Sequence, residues 1–239
     1  TSGLSAGFTL DFGTGGVVNF SSPPSLSWTG GTSNTWPNVD NWGGCGSPTC
    51  ATSAVINSGP LNQPVISANE QVNDVTIGPG GTLTILPGVT LQICGNYTNS
   101  GNLNADPTST IEFIGTGNQT INGNVTVASR FSNLLINKPS GSVIMNTNVE
   151  VGSNFTTQNG TSVFNCNGFN LSVARNFNNF NGTSTFQSPA GSRLTFNGNS
   201  PQTFTNIGSL LTLNHVTMNQ TVNSSVTLGP GAFNNMVLG

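Results

Sequence analysis

The chain repeats itself over a long period. The segment Leu91–Asn99 recurs as Leu171–Asn179, and Ile111–Ile121 recurs as Leu194–Phe204. A shorter pulse lies within this long period, since Asn154 with Phe155 recurs as Asn176 with Phe177. Self-similarity at a period of roughly 20–50 residues is typical of a solenoid, in which each unit buries its apolar side chains only against its neighbours. The two long copies share their apolar rhythm, and no chemical group is expected to recur with it.

Short alternating strands are predicted along most of the chain. Apolar and polar residues alternate over a few positions, and Gly, Asn or Pro ends nearly every run, as expected for the faces of a β-helix. Sustained helical periodicity is almost absent. We therefore predict an all-β fold, a right-handed parallel β-helix. The predicted strands are Val75–Ile77, Leu83–Ile85, Val89–Ile93, Ile111–Phe113, Val125–Val127, Leu134–Ile136, Val143–Met145, Val149–Val151, Leu171–Val173, Leu194–Phe196 and Leu211–Leu213.

The two ends of the chain differ from this pattern. Residues 1–53 are predicted to form an N-terminal β segment, with strand-like runs at Phe8–Phe12 and Val17–Phe20, followed by a cap or insertion that holds all three tryptophans. Residues 54–239 are predicted to form the solenoid coils. Because no polar capping repeat follows the last run, we expect the coils to continue in a longer chain.

Composition excludes several classes of function. Charged residues make up only 5% of the chain, the net charge is −3, and the four basic residues are scattered. Nucleic-acid binding requires a basic footprint on phosphates, so no nucleic-acid partner is expected. No apolar stretch approaches the roughly 20 residues of a membrane span, so no membrane insertion is expected. Few lysines and glutamates beside many asparagines and threonines suit an extracellular or cell-surface location.

The four cysteines fall into two groups by their surroundings. Cys45 and Cys50 bound a short loop that contains Gly and Pro, and they are predicted to form a local disulfide in an oxidising compartment. Cys94 and Cys166 lie in strand-like runs about three coils apart, too far to pair. They are predicted to fill the core as small apolar side chains.

A family resemblance follows from a spaced pattern in the first third of the chain. The pattern consists of Trp28–Gly30, Trp36, Asn41 with Trp42, Pro48, Val55 with Ile56, Pro64–Ile66, Val75–Ile77 and residues 80–85. It resembles β-solenoid segments of adhesin-like surface proteins secreted by Bacteroidota-type bacteria, and the resemblance covers roughly residues 28–215. It implies a secreted β-solenoid, and it implies no activity.

No catalytic constellation is predicted. The seven carboxylates are scattered, and Glu112 and Glu150 lie mid-strand, where their side chains are expected to point into solvent. The single histidine, His215, lies in a strand-like run, where a lone histidine is more often a surface or corner residue than a base. No metal site and no cofactor are predicted, and the chain is predicted not to be an enzyme.

One region is a candidate for ligand binding. Trp28, Trp36 and Trp42, together with Asp40 and Asn41, supply aromatic rings and hydrogen-bonding groups of the kind that bind carbohydrate. The alternative is that the three rings fold over the end of the solenoid and bury it. Burial is the preferred interpretation, because large aromatic side chains are efficient at it.

The sequence thus predicts a structural or adhesive segment of an extracellular surface protein, with the option that it is a filament subunit. Its expected partners are other copies stacked head to tail, flanking domains of the same chain, or a glycan. A carbohydrate-binding module that uses the tryptophan region is the alternative. A degenerate polysaccharide-active β-helix enzyme is the third possibility.

Overall fold

The structure is a computed structural model that describes residues 11–12, 18–19, 25–44, 46–158, 162–180, 186–207, 211–220, 225–228 and 236–238. This part of the chain is all-β, with two short 3-10 turns at Val39–Asn41 and Val127–Ser129. Among the described residues, no helix has the length and apolarity needed to cross a membrane. The strands, in chain order, are β1 (Asp11–Phe12), β2 (Val18–Asn19), β3 (Ser25–Trp28), β4 (Trp42–Gly43), β5 (Ser53–Ile56), β6 (Val65–Ile66), β7 (Glu70–Val72), β8 (Val75–Ile77), β9 (Thr82–Ile85), β10 (Thr90–Ile93), β11 (Tyr97–Asn99), β12 (Asn102–Ala105), β13 (Thr110–Phe113), β14 (Gln119–Gly123), β15 (Asn133–Ile136), β16 (Ser142–Met145), β17 (Val149–Val151), β18 (Phe155–Thr157), β19 (Val163–Asn165), β20 (Asn170–Val173), β21 (Phe177–Asn179), β22 (Phe186–Gln187), β23 (Arg193–Phe196), β24 (Gln202–Asn206), β25 (Leu211–Leu213), β26 (Val216–Met218), β27 (Val226–Leu228) and β28 (Met236–Leu238).

Most of these strands form a β-solenoid with three faces, while β1 with β2 and β25 with β28 form separate pairs. Face 1 is the sheet β22-β19-β16-β14-β11-β8-β5-β3-β4, in which all pairs are parallel except β3 with β4. Face 2 consists of two parallel stretches, β12-β9-β6 and β17-β20-β23-β26, and face 3 is the parallel sheet β27-β24-β21-β18-β15-β13-β10-β7. The chain passes from face 1 to face 2 to face 3 and back, which confirms the predicted all-β solenoid.

The turns of the solenoid differ moderately in length: facing residues are 19 positions apart at Val65 and Thr84, and 27 apart at Phe177 and Phe204. Side-chain bonds between neighbouring turns join Asn69 to Thr90, which are 21 positions apart, and Asn154 to Asn176, which are 22 positions apart. The 22-residue step also separates Phe155 from Phe177, which lie opposite each other on face 3. About seven such turns are stacked. Because parallel strands lie about 4.8 Å apart, the stack is a rod roughly 34 Å long.

The core is a set of side-chain columns parallel to the solenoid axis. Inward residues alternate with outward ones along each strand, so identical positions of successive turns lie above one another. Phe155, Phe177 and Phe204 stack on face 3 with ring centroids 5.0 and 4.9 Å apart. A polar column continues beside them, in which Asn179 accepts a hydrogen bond from the Thr157 hydroxyl (2.5 Å) and donates to Asn206 Oδ1 (2.6 Å). The turn-to-turn spacing thus equals the stacking distance of the rings.

One predicted strand is wrong, and its failure interrupts face 2. Val125 makes only an isolated bridge to Val149, and Val127 begins a 3-10 turn with φ of 50°. The Asn124 side chain accepts hydrogen bonds from the N–H and hydroxyl of Thr126, a local bond that competes with strand pairing. This turn separates the two stretches of face 2. The other predicted solenoid strands are confirmed, with small differences at their ends. Of the N-terminal runs only Asp11–Phe12 and Val18–Asn19 are described, as an antiparallel pair, and their remaining residues lie outside the described part of the chain.

The two copies of the long repeat lie on different faces. The first copy runs from β10 on face 3 to β11 on face 1, whereas the second runs from β20 on face 2 to β21 on face 3. The displacement from Leu91 to Leu171 is not a whole number of turns but about three and two-thirds, which places the second copy on the preceding face. The repeated unit is therefore a strand, a corner and the next strand, independent of the face.

Side chains that satisfy the corner backbone also recur. Gln119 Nε2 donates to the carbonyls of Ile93 (3.0 Å) and Gly95 (2.5 Å). Its counterpart, Gln202, donates to the carbonyls at the corresponding positions of the second copy, Val173 (2.8 Å) and Arg175 (2.5 Å). Both glutamines are 1% exposed. The expectation that only apolar packing recurs is wrong, because this buried amide recurs with it.

A glycine stands beside each of these glutamines because the neighbouring turn lies too close for a side chain. A Cβ at Gly115 would lie 2.0 Å from the Cys94 carbonyl oxygen, and a Cβ at Gly198 would lie 2.1 Å from that of Ala174. Neither glycine has a positive φ, so contact with the adjacent turn, rather than backbone conformation, explains the residue.

Substitution of these glycines should destabilise the solenoid. We expect Gly115→Ala and Gly198→Ala each to lower the free energy of unfolding by about 1–3 kcal/mol, because the corner backbone must move apart to admit the methyl group. Urea unfolding followed by far-ultraviolet circular dichroism measures this loss. Gly117→Ala is the matched control, since its Cβ would have no neighbour within 4 Å. Equal losses in all three variants would contradict the proposed contact.

Candidate functional site

The tryptophan region forms a buried cluster at the first turn. Trp28, Trp36 and Trp42 are at most 3% exposed. The Trp42 ring lies edge-on to both others, at centroid distances of 4.9 Å from Trp28 and 4.8 Å from Trp36. Trp42 Nε1 donates to the Trp36 carbonyl (2.7 Å), and Trp28 Nε1 to that of Asn62 (2.7 Å). The rings leave no open face on which a sugar could stack.

The two polar residues predicted beside the tryptophans have separate positions. Asn41 is fully buried, and its Oδ1 accepts hydrogen bonds from the N–H and hydroxyl of Thr32 and from the N–H of Ser33, at 2.9–3.0 Å. It therefore shapes the loop that carries the rings. Asp40 is exposed on the loop surface. The structure thus places the three tryptophans and Asn41 inside one loop as its internal support, and Asp40 on the surface of that loop.

The cysteine pairing differs from the prediction. Cys50 forms a disulfide with Cys94, with Cα atoms 5.3 Å apart, so the predicted Cys45–Cys50 disulfide is wrong; Cys45 itself lies outside the described residues. The loop before β5 folds back toward the corner after β10, which brings together residues that are 44 positions apart in the sequence. Cys94 is consequently not an apolar core residue. Cys166 is buried and free, as predicted, and burial raises the pKa of its thiol.

The two mid-strand carboxylates are held by neighbours rather than free in solvent. Glu112 is 6% exposed and accepts hydrogen bonds from Gln92 Nε2 (2.8 Å) and Asn137 Nδ2 (2.7 Å) on adjacent turns. Its predicted exposure is wrong, because the amide side chains of both neighbours cover it. Glu150 accepts the Val127 N–H (2.9 Å) and contacts Arg130 (3.1 Å), so it fixes the 3-10 turn.

His215 and the acidic residues are dispersed. His215 is exposed, and its Nδ1 lies 2.6 Å from Oδ1 of the adjacent Asn214. Among the described residues, no three His, Cys, Asp or Glu side chains lie close enough to hold a metal ion.

A buried lysine completes the corner of the first repeat copy. Lys138 is 0% exposed, and its Nζ donates to the carbonyls of Gly115 (2.5 Å) and Gly117 (2.9 Å) and to Gln119 Oε1. No carboxylate takes part in these contacts. Burial lowers the pKa of the ammonium group from 10.5 to about 8, because desolvation disfavours the charged form.

The second copy makes the same connection with a neutral side chain. Gln220 Nε2 donates to Gln202 Oε1 (2.8 Å) and to the Ser225 carbonyl (3.2 Å). The second copy therefore keeps the contact to the glutamine Oε1 with a neutral donor, whereas the other acceptor is the Ser225 carbonyl rather than a corner glycine.

A groove of about 700 Å³ opens on the described surface. It lies beside the corner between faces 2 and 3, next to the Val127–Ser129 turn. Its floor is made of the small residues Gly152, Ala174 and Gly198, which follow stacked strands of face 2. Two of the four basic residues of the chain, Arg130 and Arg175, line it.

The sequence analysis did not predict this groove. Arg130 and Arg175 are separated by about two turns, and they line the same groove only because the intervening turns stack. The short repeat of about 22 residues was the signal in the sequence that could have placed both residues at the same corner of the solenoid.

Searches of protein-family models, curated proteins and solved structures find no match to this chain. The fold and the groove are therefore interpreted from their own geometry.

Two replacements of Lys138 separate the contribution of its hydrogen bonds to stability from the contribution of its charge. We expect Lys138→Gln to be more stable than Lys138→Met, since an amide can still donate to Gln119 Oε1 as Gln220 donates to Gln202 Oε1 in the second copy. Lys138→Met should lower the free energy of unfolding by about 1–3 kcal/mol, because it leaves buried carbonyls without donors. Urea titrations at pH 7 measure both values, and a Met variant as stable as the Gln variant would contradict the role of the hydrogen bonds.

The pH dependence of stability tests the charge of the same lysine. Between pH 8 and 10.5 the unfolded chain keeps the Lys138 proton while the folded chain releases it, so stability should rise with pH in this window. The rise attributable to the lysine is at most about 3 kcal/mol. Subtraction of the Lys138→Gln titration removes the contributions of Tyr97 and Cys166, which also ionise in this range when unfolded. A flat difference would show that Lys138 titrates alike in both states.

Proposed function

We propose that this chain is a rigid structural and adhesive segment of an extracellular surface protein. The observation that carries the proposal is the continuous stack of about seven turns around columns of side chains. Such a stack is a rod whose length and surface are set by the number of turns. A stalk or a display surface requires these properties.

The surface and the cysteines support an extracellular setting. Outward amides bond from turn to turn, as where Asn146 Nδ2 donates to Asn122 Oδ1 (3.0 Å) and Asn122 Nδ2 contacts Thr98 Oγ1 (3.4 Å). Hydrogen bonds between neutral groups on such a surface change little in strength with salt concentration or pH. The Cys50–Cys94 disulfide suits an oxidising compartment. The resemblance to adhesin-like solenoids of Bacteroidota-type bacteria points the same way.

The polar residues support a scaffold better than an enzyme. Glu112, Glu150 and Asp74 each accept hydrogen bonds from neighbouring turns, and for Asp74 these come from Ser53 (2.8 Å) and the N–H of Asn96 (2.6 Å). Their carboxylates support the wall of the solenoid. Carbohydrate binding by the tryptophan region receives no support from the buried rings.

Surface presentation tests the proposal. We expect an antibody raised against the purified chain to label intact cells of the source organism, and external protease to remove the label. Chain extracted with a thiol-blocking reagent should have a peptide that links Cys50 to Cys94. A cytoplasmic marker protein serves as the control for intact cells.

Two results would contradict the proposal. One is an antigen that appears only after lysis, with both thiols alkylated. The other is turnover of a polysaccharide by the purified chain that Glu112→Gln or Glu150→Gln abolishes, since this would indicate an enzyme.

A further inference from the structure

We propose that the groove lined by Arg130 and Arg175 binds an acidic polysaccharide, with the two guanidinium groups on its anionic groups and the asparagine side chains on its hydroxyls. This deepens the adhesive role proposed above and rests on it, since it names the ligand class and the surface of the solenoid that would make the contact.

Positive charge is concentrated in the groove of an otherwise acidic chain. The net charge is −3, yet two of the four basic residues line this one surface, and neither Asp106 nor Glu150 is among its lining residues. Arg175 is exposed, and in the described part of the chain its guanidinium makes no hydrogen bond. Guanidinium groups recognise carboxylates and sulfates through paired N–H donors.

Arg130 is held at the groove wall by its neighbour Glu150. Its Nη1 donates to Glu150 Oε1 (3.1 Å), and its remaining donors have no acceptor among the described residues. Gly152 makes room for it, because a Cβ there would lie 2.6 Å from Arg130 Nε. The Arg130 side chain is about half exposed. It is therefore oriented but available, as expected of a group that binds a ligand without rearrangement.

Neutral polar groups make up much of the remaining wall. Asn133 and Asn154 are fixed by hydrogen bonds, from Asn154 Nδ2 to Asn133 Oδ1 (3.2 Å) and from Asn133 Nδ2 to the Ser109 carbonyl (2.9 Å). Asn199 is exposed at the rim. Amides that are fixed in place suit the many hydroxyls of a sugar chain.

Shape and chemistry favour a polysaccharide over other polyanions. The groove follows the stacked turns from Thr108 to Asn199, so it suits an extended chain. Single-stranded nucleic acids require aromatic stacking platforms and more positive charge, and no aromatic residue lines this groove. A peptide would need apolar pockets for its side chains. Alternating hydroxyls and sparse negative charges match the lining best.

Isothermal titration with defined oligosaccharides tests the proposal. The probes are an octamer of galacturonic acid, its fully methyl-esterified form and a chondroitin sulfate octamer, so that the arms distinguish carboxylate, neutral and sulfate ligands. We expect an acidic octamer to bind with a Kd below about 1 mM. Binding should weaken with rising salt and should weaken about tenfold or more on methyl esterification.

Matched variants locate the site. Arg175→Gln and Gly152→Ala should each weaken binding about tenfold, the first by removing a charge and the second by displacing Arg130. Arg193→Gln removes the same charge outside the groove, where the side chain bonds to Thr217 Oγ1 (2.9 Å), and should leave binding unchanged. Thermal unfolding of each variant confirms that it is folded.

Several results would overturn the assignment. These are no binding by either acidic octamer, equal binding of the methyl ester, equal losses in Arg193→Gln and Arg175→Gln, or equally tight binding of single-stranded DNA of the same length. If the antibody labels intact cells but the octamers do not bind, only the groove assignment fails. If the octamers bind but the chain stays inside the cell, the surface role fails.

Discussion

The corner between two faces is the constraint on which this solenoid depends. At each corner the backbone leaves one sheet before it joins the next, so its carbonyls must find donors elsewhere. Gln119 supplies them for Ile93 and Gly95, and Gln202 does the same for the corresponding corner of the second copy. Because these bonds join one turn to another, they set the position of the corner and thereby the register of the inward columns.

The rest of the molecule follows from that register. Rings stack at the spacing of the strands, outward amides bond from turn to turn, and small residues at one corner leave a groove. Where a local Asn124–Thr126 bond prevails over strand pairing, face 2 is interrupted and Arg130 is presented beside the groove. The candidate binding function of the groove therefore arises at the one described place where face 2 departs from regular strand pairing.

Much of the fold could be predicted from the sequence, because alternation and corner residues are local signals. The all-β solenoid and nearly all of the quoted strands were found in this way. The face on which each strand lies could not be predicted, since the offset of the long repeat is not a whole number of turns. Neither the Cys50–Cys94 disulfide nor the pairing of Arg130 with Arg175 along one groove could be predicted, because both depend on how distant turns stack. The sequence locates the three tryptophans. It does not decide whether they are buried or bind a sugar, because an aromatic ring suits both roles equally well.

The stability of two glutamine variants tests the central claim most directly. Urea unfolding of Gln119→Leu and Gln202→Leu should show losses of about 2–4 kcal/mol each, since each substitution leaves buried carbonyls without donors. Gln187→Leu, at an exposed position, should change stability by no more than about 0.5 kcal/mol. Losses at Gln119 and Gln202 no larger than that at Gln187 would contradict the claim that the recurring amide holds the corners.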